Sequence, residues 1–326
     1  MIVPSYWAEA RQQQRSGNRE VTLRRYGWSD SSQEAAQAHA EERLRQACAR
    51  IAAGESLPRR EPKVSYNGAD GLPIREEVLS RHGDTVVTRN LYGARCLNTP
   101  DVLFADIDFD TGPGLRTIGA VTGVLLLLAL LLGWATGSAG YGLLAALLAL
   151  LGGYALARQL HRLRDRLGGG PEPRARRRID AFLQRHPDWH LRLYRTPAGL
   201  RLLAMHRAFD AREPAVAECF AALGVDALYA RMCVNQRCFR ARVSPKPWRV
   251  GIAAHLRPRP GVWPVNPERL PERERWVQQY EQRAQGYAAC RFVEALGQTR
   301  VSCMQALAVQ RLHDEWCRAQ RELPLA

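Results

Sequence analysis

Asp101–Asp110, DVLFADIDFD, is the acidic run around which the rest of the chain is organised. Val102, Leu103, Phe104, Ile107 and Phe109 favour a strand, and the run is short and apolar. Successive strand side chains point to opposite faces. Asp106, Asp108 and Asp110 therefore share one face, and Ala105, Ile107 and Phe109 share the other. Three carboxylates on one face repel each other unless a cation sits among them. Hard oxygen donors at this spacing suit Mg²⁺ or Mn²⁺, ions that clamp phosphoryl groups. The plainer alternative is a solvated face on an edge strand.

Composition narrows the partners. The 326 residues carry a net charge of +15, mostly as Arg. Such a chain is drawn to phosphate, in nucleic acid or in anionic lipid head groups. The eight cysteines are scattered and mostly fall in helix or strand patterns, which argues against a disulfide framework. Cys290, Cys303 and Cys317 read as core positions on helices. Cys233 and Cys238 are poorly spaced for zinc, and His206, His313 and Cys317 would join a site only through folding. The opening MIVPSYWAEARQQQ lacks the apolar run of a signal peptide. No Gly-rich phosphate loop and no GxSxG is present.

Two uncharged apolar runs follow, residues 117–136 and 139–157, joined by Gly137-Ser138. Each has about the 20 residues needed to cross a hydrocarbon core, so the pair reads as a two-helix transmembrane hairpin. Trp134 and Tyr141 lie near its tip, where interfacial aromatics belong. Arg158, Arg162, Arg164 and Arg166, then Arg174 and Arg176–Arg178, follow the second run, and the tip has neither Lys nor Arg. This asymmetry predicts a two-pass protein of the cell (inner) membrane with both termini cytoplasmic, its Arg run able to lie on anionic lipid.

The remaining segments read as α+β. Val21–Trp28 is a strand, and Ser29–Ser32 cap a helix running to about Ala53. Residues 56–73 form a loop with turns at Asn67-Gly68 and Asp70-Gly71. Residues 74–81 suggest a short helix. Thr85–Arg89 is a strand, with Asp101–Asp110 as its expected antiparallel neighbour across a turn-rich connection. Arg89 and Arg95 could then face the carboxylates. After the linker Gly168–Pro171 comes a helix over 174–185. Trp189–His206 forms a β-hairpin around Thr196–Gly199, and Pro214–Leu223 is a helix. In CFRARVSPKPWR, residues 238–249, Arg240 and Arg242 share a strand face, with Lys246, Trp248 and Arg249 beyond. Cations with an aromatic among them suit a phosphate or a stacked base, or equally make an ordinary solvated basic strand. Residues 272–296 and 301–322 have helical patterns. The parts are an α/β region over 1–116, the hairpin over 117–157, a β-rich region over 158–257 and a Pro-rich, helical end over 258–326.

Three of these pieces resemble the archaeo-eukaryotic primase superfamily, most closely its primase-polymerases. VLFADIDF is similar to that superfamily's acidic strand motif, with Asp106 and Asp108 in the acidic places. YRTPAGLRLL is similar to its hairpin motif, with Arg201 where a phosphate-contacting His is expected. GVDALYAR leading to CFRARVSPKPWR matches a third Asp followed by a basic FR-x-x-x-S-x-K strand, at Asp226, Arg240, Ser244 and Lys246. The resemblance spans about residues 85–249 without the hairpin. It implies an antiparallel-sheet core interrupted by the membrane hairpin. It also implies Asp106, Asp108 and Asp226 as ligands of catalytic Mg²⁺ or Mn²⁺. Arg201, Arg240, Ser244 and Lys246 would hold a nucleoside triphosphate, with nucleic acid as template. An Arg at 201 can still hold a triphosphate. Three functions stay open: a membrane-tethered nucleotidyltransferase, a non-catalytic membrane protein with a basic binding domain, and a structural membrane protein whose charge serves lipid contact.

Overall fold

The computed structural model describes residues 1–16, 19–59, 61, 70–109, 112–259, 261 and 263–326. The fold is α+β with antiparallel sheets and, among the described residues, eight α-helices. Two compact units divide the chain. The first holds residues 1–106, 186–197 and 201–326, and the second holds 107–185 and 198–200.

The first unit opens with a ribbon of β1 (Tyr6–Ser16) and β2 (Arg19–Ser29), antiparallel over eleven residue pairs. Helix α1 (Gln33–Ala52) covers it, starting where the Ser32 side chain accepts from the Ala35 amide. Ala8, Ala10 and Leu23 meet Ala36, Ala40 and Leu44. Small residues let helix and ribbon approach closely: a Cβ at Gly27 would lie 2.3 Å from the Ala36 carbonyl oxygen. The expected strand and capped helix are both present; β1 was not anticipated.

A four-stranded sheet follows in the order β3-β4-β5-β9, from β3 (Glu77–His82), β4 (Thr85–Arg89), β5 (Arg95–Thr99) and β9 (Phe239–Arg242). Three expectations are corrected here. Residues 77–82 form a strand rather than a helix, because they pair with β4 across Gly83-Asp84. The connection after Arg89 contains β5, which takes the place beside β4 expected for the Asp101–Asp110 stretch. Arg89 and Arg95 pair with Glu281 at 3.0 and 3.4 Å and do not serve the carboxylates.

The Asp-rich stretch supplies β6 (Phe104–Asp108) to a second four-stranded sheet, ordered β10-β7-β8-β6. Strands β7 (His190–Thr196) and β8 (Gly199–Ala204) form the expected hairpin, and β10 is Arg291–Gly297. Every residue of β8 is buried, so neither of its faces is solvated. Helices α5 (Pro214–Leu223), α6 (Ala227–Gln236), α7 (Leu270–Ala284) and α8 (Met304–Cys317) complete the unit. The helical pattern expected over 272–296 ends at Ala284, and β10 pairs with β7 instead. On α7, Trp276 and Tyr280 pack with Val250, Ile252 and Leu256.

The second unit contains α2 (Leu115–Ala135), α3 (Ala139–Leu167) and α4 (Pro171–Arg185). Both α2 and α3 are long and apolar enough to cross a membrane. They pack on one another through small residues: a Cβ at Gly153 would lie 2.3 Å from Thr122 Oγ1, and one at Gly133 would lie 3.2 Å from Gly142 Cα. Their other surfaces are bare. Only 6% of the most apolar stretch of α2 and 11% of that of α3 are buried, with Leu127, Leu130, Leu143, Leu148 and Leu151 exposed. A helix from a soluble core buries most of such a stretch.

Candidate functional site

The centre of the second sheet holds a buried polar cluster built around Arg201. This residue sits on β8, and its side chain is 2% exposed. Its Nε donates to Asp106 Oδ1 at 2.7 Å and its Nη2 to Asp106 Oδ2 at 2.8 Å. Its Nη1 donates to the Arg242 carbonyl at 2.9 Å and meets His313 Nε2 at 3.3 Å. The fork of a guanidinium matches a carboxylate in this bidentate way, and such paired bonds are strong. Burial would raise the Asp106 pKa, but the charge and hydrogen bonds of Arg201 outweigh it and hold the carboxyl below its usual range. The same pairing keeps Arg201 charged despite its burial.

Beyond Arg201 the cluster continues through α8. There His313 Nε2 lies against Arg201 Nη1, and its Nδ1 faces Asp314 Oδ1 at 3.1 Å. Asp314 in turn takes Arg192 Nη2 at 3.0 Å and Gln310 Nε2 at 2.6 Å. Arg192 Nε donates to the Tyr194 hydroxyl at 2.9 Å. Cys290 Sγ lies 3.7 Å from His313 Nε2, and Cys317 Sγ lies 3.9 Å from the Arg242 carbonyl oxygen. Burial pushes the Cys290 thiol up. It would do the same to Cys317, but the hydrogen bond from Cys290, with His313 and Arg201 close by, brings that thiol down.

The expected site residues are dispersed among several roles. Asp106 and Arg201 are together, but as partners of each other. Asp226 is exposed at the N-terminus of α6, where Oδ1 accepts from the Leu228 and Tyr229 amides at 2.9 Å each. Asp108 is exposed at the end of β6 and belongs to the second unit, and Asp110 lies outside the described residues. Arg240 reaches both oxygens of Glu76 at 2.8 Å and Asn98 Oδ1 at 3.1 Å. Thr88 closes this network by donating to Glu76 at 2.6 Å. Ser244 Oγ accepts from the Arg95 amide at 2.8 Å and meets the Tyr280 hydroxyl at 2.6 Å. Lys246 is half-buried with Nζ 5.4 Å from the centre of the Trp248 ring. Trp248 is 56% exposed and 5.4 Å from the Tyr92 ring.

This donor set does not fit Mg²⁺ or Mn²⁺ at Asp106. Both oxygens already face a guanidinium, and a divalent ion would share them with a fixed positive charge. Arg201, Arg240 and Ser244 likewise have intramolecular partners where a triphosphate was expected. Glu76, Cys290, His313 and Asp314 were not anticipated as site residues. The four-residue interval between His313 and Cys317 was the one sequence signal here, since it puts those two on one helix face.

No protein-family model matches the chain, and no curated protein and no solved structure matches it either.

Proposed function

We propose that the chain is a two-span membrane protein whose soluble unit is a primase-polymerase-like domain that binds nucleotide or nucleic acid without transferring a nucleotidyl group. The observation that carries the second half is the Arg201–Asp106 pair. In the resemblance, a carboxylate at 106 holds metal and a His at 201 contacts phosphate. Here one guanidinium supplies the positive charge that the carboxylate would otherwise take from metal. Strands β8 and β6 are neighbours in the sheet, so the residue at 201 lies beside the acidic strand, and an Arg there offers a permanently charged fork to the carboxylate. Without metal there, the 3′-hydroxyl lacks activation and the leaving pyrophosphate lacks charge neutralisation.

Membrane insertion is supported by the exposed leucines of α2 and α3 and by the Arg run that follows the apolar stretch. The positive-inside rule then puts both ends of the hairpin in the cytoplasm. Binding is supported by the charge of +15 and by Trp248, which offers an exposed ring beside Lys246 and Tyr92 on which a base can stack.

The experiment has two parts. Membranes carrying the protein are washed with alkaline carbonate, and the protein stays in the pellet. Detergent-solubilised protein is then titrated against a fluorescent single-stranded oligonucleotide, and anisotropy rises with an affinity that falls steeply with salt and is unchanged by EDTA. Release by carbonate removes the membrane half of the proposal, and no binding at low salt removes the ligand half.

A further inference from the structure

We propose that Cys290, His313 and Cys317 form a zinc site in the core of the soluble unit, with Cys290 Sγ, His313 Nε2 and Cys317 Sγ as ligands. Their ligand atoms all lie within 4.8 Å of one another, and all three residues are fully buried. Zn–S bonds of about 2.3 Å and Zn–N bonds of about 2.0–2.1 Å in a tetrahedron put ligand atoms ~3.5–3.8 Å apart. The observed separation of 3.7 Å between Cys290 Sγ and His313 Nε2 is of that size.

The surroundings favour an ion in three ways. First, His313 and Cys317 are four residues apart on α8, so both project from one face. Cys290 comes to meet them from the residue before β10, which the pairing of β10 with β7 fixes. Second, Asp314 at His313 Nδ1 leaves Nε2 as the ligating nitrogen. A carboxylate behind a metal-binding histidine is the usual way its ring is oriented, and Arg192 and Gln310 hold that carboxylate in turn. Third, the charges balance. Arg201 is already paired with Asp106, and Arg192 with Asp314. Zinc entering the site displaces the two thiol protons to solvent, and the two thiolates cancel its charge. Arg201 keeps Asp106 and the Arg242 carbonyl when the metal takes the lone pair of Nε2. The fourth position is left for a water or another small ligand.

The test uses the full chain, purified in detergent under reducing conditions. Elemental analysis should find zinc at about one per chain. Cys290→Ser and Cys317→Ser should each lose it, while Cys48→Ser, at a half-buried cysteine elsewhere in the unit, keeps it. Wild-type protein stripped of zinc and titrated with Co²⁺ should develop thiolate-to-cobalt charge transfer and the intense d–d bands of a tetrahedral site. That spectrum needs no variant, so a misfolded mutant does not blunt the test. His313→Gln, which keeps both thiols, should weaken Co²⁺ binding at least tenfold, the usual order for a lost ligand or its support. The proposal is overturned by wild-type protein that neither holds zinc nor gives the cobalt spectrum. Zinc that survives Cys317→Ser also overturns it, as does selective uptake of Cu⁺ instead. A Cys290–Cys317 disulfide in protein whose thiols were blocked before lysis would overturn it too.

Discussion

Arg201 and Asp106 face each other through two parallel hydrogen bonds, 2.7 and 2.8 Å long, with the guanidinium fully buried and the carboxylate 32% exposed. The asymmetry decides what happens when either is removed. Asp106→Ala strands a buried cation and should cost about 3–5 kcal/mol, the usual loss when one member of a buried pair is deleted. Arg201→Met strands only a carboxylate that water can reach, and should cost less. Thermal melting of the two single variants and the double variant checks this, with the double less destabilised than the sum.

The same pair sets an acid limb. The folded pKa of Asp106 is depressed, so its contribution to stability is fully present above the unfolded value of about 3.9. It is lost as pH falls from there through the lower folded value. Melting temperature measured down through this range should fall more steeply for wild type than for Asp106→Asn, which has no proton to gain at that position.

Asp226 makes a different prediction. It accepts two amide hydrogen bonds at the start of α6. Asp226→Ala should therefore lower stability by about 1 kcal/mol, as for other lost N-caps, and Asp226→Asn or Asp226→Ser by less. A metal ligand would not tolerate these substitutions so evenly. Melting with and without Mg²⁺ separates the two roles.

In the apolar hairpin, Gly153 faces Thr122, while Gly119 has open space where a side chain would go. Gly153→Leu should separate α2 from α3 and make the hairpin susceptible to protease in detergent. Gly119→Leu should leave the digestion pattern unchanged.

Much of the architecture was legible from local signals. The Ser32 cap, the Pro197–Gly199 turn and the two uninterrupted apolar runs each act within a few residues, and the corresponding α1, the β7–β8 hairpin and α2–α3 are where those signals put them. Pairing across distance was not legible. Residues 77–82 look helical until β4 is beside them, and β10 looks like the end of α7 until it meets β7. What surrounds the site residues was not legible for the same reason. Alternation correctly puts Asp106 and Asp108 on one face, but it says nothing about what covers that face. The resemblance gave Arg201 a triphosphate to hold, and the covering element is α8, more than a hundred residues later, which brings His313 against it. Of His206, His313 and Cys317, the residues that only folding could recruit, the fold brings together His313 and Cys317 and adds Cys290 to them.

Trp248 separates binding from scaffolding. Arg240 is held by Glu76 within the sheet, so Arg240→Ala should destabilise the unit by leaving a buried carboxylate unpaired. Trp248→Ala removes an exposed ring and should leave melting unchanged. It should weaken oligonucleotide binding by about 1–3 kcal/mol, the value of one stacked base. Anisotropy titrations beside melting curves for both variants check this.

Binding without nucleotidyl transfer is checked by incorporation of labelled nucleoside triphosphate into a primed oligonucleotide by the purified protein, with Mn²⁺ or Mg²⁺ present and a matched binding titration alongside. The oligonucleotide should be bound and not extended, because Arg201 holds the carboxylate that transfer would need. Metal-dependent extension by the wild-type protein, abolished by Asp106→Ala in protein that still binds the oligonucleotide, would contradict this.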